Sequence, residues 1–186
     1  NRDRAGAVAE PRPPPQRAFG ENYVQEAIEK MDAVPGLEWH LIGPLQSNKT
    51  RFAAERFDWV QTVPSEKIAR RLSDQRPAAL PPLNVLIQVN VSGEASKSGV
   101  ARDEVRALAR AVAALPRLRL RGLMAVPEPG AGRARYREVK QLFDSLPDCD
   151  TLSMGMSDDL EIALQEGSTM VRIGTAIFGK RERVSA

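Results

Sequence analysis

Short apolar runs alternate along the chain with amphipathic segments of helical period. The clearest run, NVLIQVNV at 84–91, is almost continuously apolar, as expected of a strand buried on both faces of a parallel sheet. Further strands are predicted at 18–22, 37–43, 58–63, 118–126, 151–155 and 171–173. Helices are predicted to end at Met31 and to span 47–57, 65–72, 102–115, 133–146 and 157–166, with Ser47 and Ser157 as N-caps.

This alternation is typical of an α/β fold with a parallel sheet. The visible strand–helix units are one short of a closed (β/α)8 TIM-type barrel, so the first strand and helix are predicted to be missing or degenerate. Residues 1–17 stand in their place, and three consecutive prolines there (Pro13, Pro14 and Pro15) exclude a helix or a central strand. We expect an irregular proline-rich segment at 1–17 and one barrel domain at 18–182. A barrel without one strand would have two open edges.

Composition and charge exclude several function classes. The 27 basic and 24 acidic residues are interleaved and only 5% of residues are aromatic, so no nucleic-acid partner is expected. A single cysteine and a single histidine exclude an internal disulfide and argue against a structural zinc site, so no metal is expected. No apolar run approaches the length of a transmembrane helix, which predicts a cytoplasmic protein without membrane contact.

Two polar loops at neighbouring strand ends suggest a phosphate site. Ser157 opens the predicted helix after the sixth visible strand, and Gly174 and Thr175 follow the seventh. Backbone N–H groups and hydroxyls in such loops bind phosphate, commonly after the last two strands of a barrel. Arg172, inside a short apolar strand, would face the organic part of that ligand. The alternative is an ordinary strand whose arginine forms a structural salt bridge.

The sequence assigns no catalytic residue. It contains no Ser-His-Asp set and no Walker loop. His40 lies inside a predicted strand, which favours a satisfied barrel histidine over a catalyst.

Six motifs resemble the pyridoxal phosphate homeostasis protein family. They are FGENYVQE (19–26), WHLIGPLQSNK (39–49), VSGEASKSG (91–99), RGLMA (121–125), SMGMSD (153–158) and GSTMVRIGTAIFG (167–179). The resemblance implies a single barrel similar to the N-terminal domain of alanine racemase. It also implies a protein that holds pyridoxal 5′-phosphate (PLP), buffers it and delivers it within vitamin B6 and amino-acid homeostasis, without established catalytic turnover.

The resemblance also implies site residues and partners. Ser157, Gly174 and Thr175 would bind the phosphate, Arg172 would approach the pyridine nitrogen, and Asn22 would line the cofactor pocket. A cation at that nitrogen disfavours its protonation and weakens the ring as an electron sink. PLP-dependent apoenzymes are the candidate acceptors, and the chain is expected to be a monomer.

One feature departs from the family pattern. The family's Schiff-base lysine lies on the first strand, ahead of the FGEN motif, whereas no lysine precedes Lys30 in this chain. The Schiff-base lysine is therefore not identifiable in this sequence.

Three alternatives stay open. A fold-type III PLP enzyme such as an amino-acid racemase would add a second, β-rich domain, for which the chain after the phosphate loop is short. A barrel enzyme acting on a small phosphate ester would need a base, for which Glu21 and Glu94 are the candidates. A pure scaffold would bind no phosphate compound.

Overall fold

The computed structural model describes residues 16–93 and 98–179, which form one parallel sheet with helices. Six strands lie side by side in chain order. They are β1 (Ala18–Glu21), β2 (Glu38–Leu41), β3 (Trp59–Val63), β4 (Leu83–Val89), β5 (Leu118–Ala125) and β6 (Thr151–Ser153). The helices between and after them are α1 (Val24–Ala33), α2 (Thr50–Arg56), α3 (Glu66–Gln75), α4 (Val105–Ala113), α5 (Arg133–Asp144), α6 (Leu160–Gln165) and α7 (Thr175–Phe178).

The two faces of the sheet have different surroundings. Alternate strand residues such as Leu41, Val60 and Val85 pack with the buried residues of the helices in one large apolar core. The opposite face carries a small apolar cluster of Trp59, Leu86 and Met124. Because a strand sends successive side chains to opposite faces, each strand contributes to both layers. The second layer is the interior face of the barrel-like fold.

The seventh predicted strand, 171–173, is wrong as a regular strand. Among the described residues, 171–173 join no strand of the sheet, and the preceding Met170 forms an isolated parallel bridge with Ser153. The N–H groups of Thr169 and Met170 both donate to the Leu152 carbonyl oxygen, which breaks the regular ladder. Ser168 Oγ also lies within hydrogen-bond distance of the carbonyl oxygens of Leu152, Met154 and Met170, and its single proton can be donated to one of them at a time. The segment therefore follows β6 without becoming a strand.

Both predicted N-caps are wrong. Ser47 lies within a short 3₁₀ turn, Ser47–Lys49, and its carbonyl oxygen accepts a hydrogen bond from Thr50 Oγ1. Ser157 lies in the turn before α6, and Asp159 occupies the N-cap position. Side-chain oxygens compete with helix caps for nearby N–H groups, and here Asp159 Oδ1 accepts from the Met156 N–H.

Other expectations meet the structure in different ways. The predicted missing unit and all but the last two residues of segment 1–17 lie outside the described residues. Within the described ranges, no helix is long and apolar enough to span a bilayer. In those same ranges no three His, Cys, Asp or Glu residues are grouped so as to hold a metal ion.

Candidate functional site

A cleft of about 370 Å³ opens where the strands end. Its wall includes residues that follow or close successive strands: Asn22, Gly43, Thr62, Asn90 and Pro127. A second cleft, of about 430 Å³, lies at the amino ends of β1 and β2 beside Arg17 and Glu38. Ligands of barrels and other parallel α/β folds bind at the carboxyl ends of the strands, so the first cleft is the candidate site.

Asn22 lines the cleft because two loops pass very close to each other. A Cβ atom added at Gly43 would lie 2.1 Å from the Asn22 carbonyl oxygen, so only glycine fits there. The Ile42 N–H donates to the Glu21 carbonyl oxygen at 2.9 Å and continues the pairing of β1 and β2. The structure therefore places Asn22 on the wall where the sequence predicted a pocket residue.

Arg172 is held by neutral oxygen atoms. Its Nη1 donates to Ser153 Oγ at 2.6 Å, and its Nη2 donates to the Ala125 carbonyl oxygen at 3.0 Å. Burial lowers the pKa of Arg172 to about 10, partly offset by the charge of Asp159, so it remains a cation at neutral pH. None of the ion pairs among the described residues includes Arg172, which removes the alternative of a structural salt bridge within those residues.

The loops that carry Ser157 and Gly174 are tied together by backbone hydrogen bonds. The Arg172 N–H donates to the Gly155 carbonyl oxygen at 3.0 Å. Gly155 has a φ of +98°, and a Cβ added there would lie 2.5 Å from the Ala163 Cβ, so glycine lets the loop close onto α6. Ser157 lies in this loop, and Gly174 is the exposed N-cap residue of α7.

Thr175 begins α7 and is exposed. The first N–H groups of any helix lack intrahelical partners, which leaves donors at this end of the single-turn helix. The structure thus brings the segments of Ser157, Arg172 and Gly174 to β6, whereas Asn22 follows β1 at the other edge of the sheet. Of the predicted site residues, Asn22 alone belongs to the lining of the 370 Å³ cleft.

Arg172 nevertheless lies close to that cleft. Ala125, which accepts one of its hydrogen bonds, stands between Met124 and Val126, and both of these line the cleft. The guanidinium therefore contacts the carboxyl end of β5, and residues of that same end line the cleft.

Sequence reasoning missed a clamp on the Ser157 turn. Asp159 Oδ1 accepts from the Met156 N–H at 2.6 Å, and Asp159 Oδ2 accepts from the Tyr136 hydroxyl at 2.5 Å. Burial and the bond to Asp159 raise the pKa of Tyr136. The only sequence signal was an acidic residue near a predicted helix start, and nothing indicated a partner 23 residues away.

His40 is a satisfied interior residue, as predicted. Its Nε2 bonds to Glu38 Oε1 at 2.8 Å and its Nδ1 to Gln61 Nε2 at 2.9 Å. The ring stacks on Trp59 with 5.0 Å between centroids. Burial lowers the pKa of His40, partly offset by Glu38.

Glu21, one of the two candidate bases of a phosphate-ester enzyme, does not line the cleft. Glu21 is buried and pairs with Lys30. Glu94 lies outside the described residues.

Comparison with known proteins decides the family. A family model described as alanine racemase, N-terminal domain, matches residues 5–182. The pyridoxal phosphate homeostasis protein of Escherichia coli strain K12 is 58% identical over 191 residues, covering 96% of this chain and 82% of that protein. The chain belongs to the pyridoxal phosphate homeostasis protein family. The protein of the same name from Pseudomonas aeruginosa strain PAO1 is 60% identical over 187 residues, covering 96% of this chain and 80% of the relative.

Solved structures agree with this family assignment. PipY of Synechococcus elongatus with PLP bound is 35% identical and superposes with a TM-score of 0.79, over 89% of this chain and 82% of PipY. Alanine racemase from Corynebacterium glutamicum has a TM-score of 0.69 at 19% identity, over 91% of this chain and 50% of the racemase, a likeness of fold alone. The predicted family and the alanine racemase-like α/β barrel fold are confirmed.

Proposed function

We propose that this homeostasis-family chain binds PLP reversibly and buffers and delivers it, without catalytic turnover. The observation that carries the proposal is the half-buried Arg172 cation, held by neutral acceptors beside a cleft at the carboxyl end of the sheet. Its relatives carry the name pyridoxal phosphate homeostasis protein, and PipY has been solved with PLP bound.

The residues present fit the charge and donor pattern of PLP. The Arg172 guanidinium has more N–H donors than its hydrogen bonds to Ser153 and Ala125 use. It has no acceptor atom, so it cannot accept a hydrogen bond from a protonated ring nitrogen. Arg172 would therefore face an unprotonated pyridine nitrogen. When bound, PLP supplies an aldehyde that captures amines and a ring that can accept electrons. Because Arg172 disfavours ring protonation, it favours storage of the cofactor over catalysis.

The phosphate end would lie at the loops tied to β6. We assign its binding to the Ser157 hydroxyl, the backbone at Gly174, and the N–H and hydroxyl groups of Thr175. Asn22 would line the pocket from β1. These contacts would contribute the noncovalent part of the affinity for PLP.

We propose a cytoplasmic monomer whose acceptors are PLP-dependent apoenzymes. The main alternative, a fold-type III enzyme such as a racemase, is supported by likeness of fold alone.

The test measures the PLP affinity of site variants by fluorescence titration. We expect Ser157→Ala and Thr175→Ala each to weaken PLP binding about tenfold, since each removes one hydrogen bond to a charged phosphate. The control is Ser145→Ala, a half-buried residue after α5 whose hydroxyl donates to the Leu142 carbonyl oxygen, and it should leave the affinity unchanged. Unchanged affinity in both site variants would overturn the phosphate assignment.

A further inference from the structure

Four hydrogen bonds connect side chains in a line across the interior face of the sheet. The pairs are Glu38 Oε1 with His40 Nε2 at 2.8 Å, His40 Nδ1 with Gln61 Nε2 at 2.9 Å, Gln61 Oε1 with Ser153 Oγ at 2.7 Å, and Ser153 Oγ with Arg172 Nη1 at 2.6 Å. His40, Gln61 and Ser153 are 4%, 2% and 0% exposed. The line begins at the first residue of β2 and ends at the guanidinium beside the candidate cleft.

The donor and the acceptor of each hydrogen bond in this line can be assigned. A guanidinium only donates, so Ser153 Oγ accepts from Arg172 and gives its own proton to Gln61 Oε1. Gln61 must then turn its NH₂ group toward His40 Nδ1, which accepts. The imidazole proton therefore lies on Nε2 and is donated to Glu38. A neutral His40 satisfies every link.

Gln61 is the member with the least freedom. Its oxygen accepts from Ser153, while its nitrogen donates to His40 and also contacts Met170 Sδ at 3.2 Å. If the Gln61 amide were turned over, its NH₂ group would face the Ser153 O–H donor and its oxygen would face the unprotonated Nδ1 of His40. That would leave buried polar atoms unpaired, which folded proteins avoid.

We propose that Gln61 is a positioning residue that sets, through Ser153, the direction in which the Arg172 guanidinium faces. Glu38 and His40 anchor Gln61 from the amino edge of β2. A side chain that does not line the cleft thereby determines which N–H groups of Arg172 face the ligand. The nature of that ligand rests on the proposed function, whereas the positioning itself is a property of the ligand-free protein.

The first test is the proton position on His40 in the ligand-free protein. His40 is the single histidine of the chain, so its ¹⁵N imidazole signals need no further assignment. We expect an unprotonated Nδ1 and a protonated Nε2 at neutral pH. A proton on Nδ1 would require the opposite orientation of the Gln61 amide and would overturn the proposal.

The second test is the guanidinium N–H spectrum of Arg172, identified by its loss in Arg172→Lys. We expect resolved signals in the wild-type protein and broadened or exchanged signals in Gln61→Met. Gln61→Glu keeps the acceptor for Ser153 and should retain the signals of Arg172, while His40 becomes doubly protonated. Ser153→Ala removes the next link and should also lose the signals, whether or not Gln61→Met folds.

A matched control separates positioning from general loss of stability. Thr50→Val removes a fully buried hydroxyl that bonds to Ser47 O and Arg71 Nε, outside the interior line. It should leave the Arg172 signals unchanged. Unchanged Arg172 signals in Gln61→Met and Ser153→Ala would overturn the proposal.

PLP titration distinguishes the two claims. We expect Gln61→Met to weaken PLP binding about tenfold, with partial rescue in Gln61→Glu. Failure of the wild-type protein to bind PLP would overturn the proposed function, while the ligand-free spectra would still decide whether Gln61 positions Arg172.

Discussion

Replacing Asp159 with alanine should release the turn that carries Ser157. The carboxylate holds that turn from two sides, through the Met156 N–H at 2.6 Å and the Tyr136 hydroxyl at 2.5 Å. Tyr136 is 2% exposed, so Asp159→Ala leaves a buried hydroxyl without its acceptor.

The expected loss follows from these two bonds. Hydrogen bonds to a charged group contribute about 1.5–3 kcal/mol each, and Asp159 is half-buried, so water recovers part of the loss. We therefore expect Asp159→Ala to lower the free energy of unfolding by about 2–4 kcal/mol. Tyr136→Phe removes one bond without leaving a buried polar atom, and it should cost about 1–1.5 kcal/mol.

Urea denaturation followed by tryptophan fluorescence measures both changes, since Trp39 and Trp59 are buried. The double variant should lose less stability than the sum of the single variants, because both changes remove the same bond. Asp159→Ala should also weaken PLP binding more than Tyr136→Phe, since it alone frees the Ser157 turn. Additive losses in the double-mutant cycle would refute the clamp.

Three further changes test other parts of the structure. Gly43→Ala would bring a Cβ within 2.1 Å of the Asn22 carbonyl oxygen, so thermal unfolding should show a large drop in Tm. The raised pKa of Tyr136 implies stability that is complete below pH 10, the unfolded pKa, and is lost as the pH rises beyond it. Tyr136→Phe should lack that alkaline component in denaturation measured from pH 8 to 11, and an identical pH profile would contradict this. Arg172→Gln should weaken PLP binding at least tenfold in a fluorescence titration, whereas Arg110→Gln, an exposed change on α4, should not.

Local pattern predicted the strands well where burial on both faces produced an unbroken apolar run. The run at 84–91 corresponds to β4, Leu83–Val89. The predicted strand continued too far because the Asn90 N–H donates to Val100 O, and Val100 returns a bond to Gln88 O. Hydrophobic periodicity does not indicate that a later residue of the chain pairs with the end of a strand.

Long-range side-chain partners account for what the sequence could not predict. The cap expected at Ser157 was displaced by Asp159, whose second partner, Tyr136, lies on another helix. Gln61 and Ser153 are 92 residues apart in the chain, and only the order of the sheet brings them together. Loop composition did indicate Arg172 and Gly174 near β6, because both stand in one short segment at a strand end.

Direct addition of PLP to the purified chain tests the central claim. Absorbance and intact mass, with and without borohydride reduction, report bound cofactor and any covalent attachment. We predict saturable binding of one PLP per chain that is displaced by excess PLP analogue. A single reduced adduct would reveal an available lysine by peptide mapping, and binding without an adduct would mean that noncovalent contacts suffice. No saturable binding at all would contradict the account.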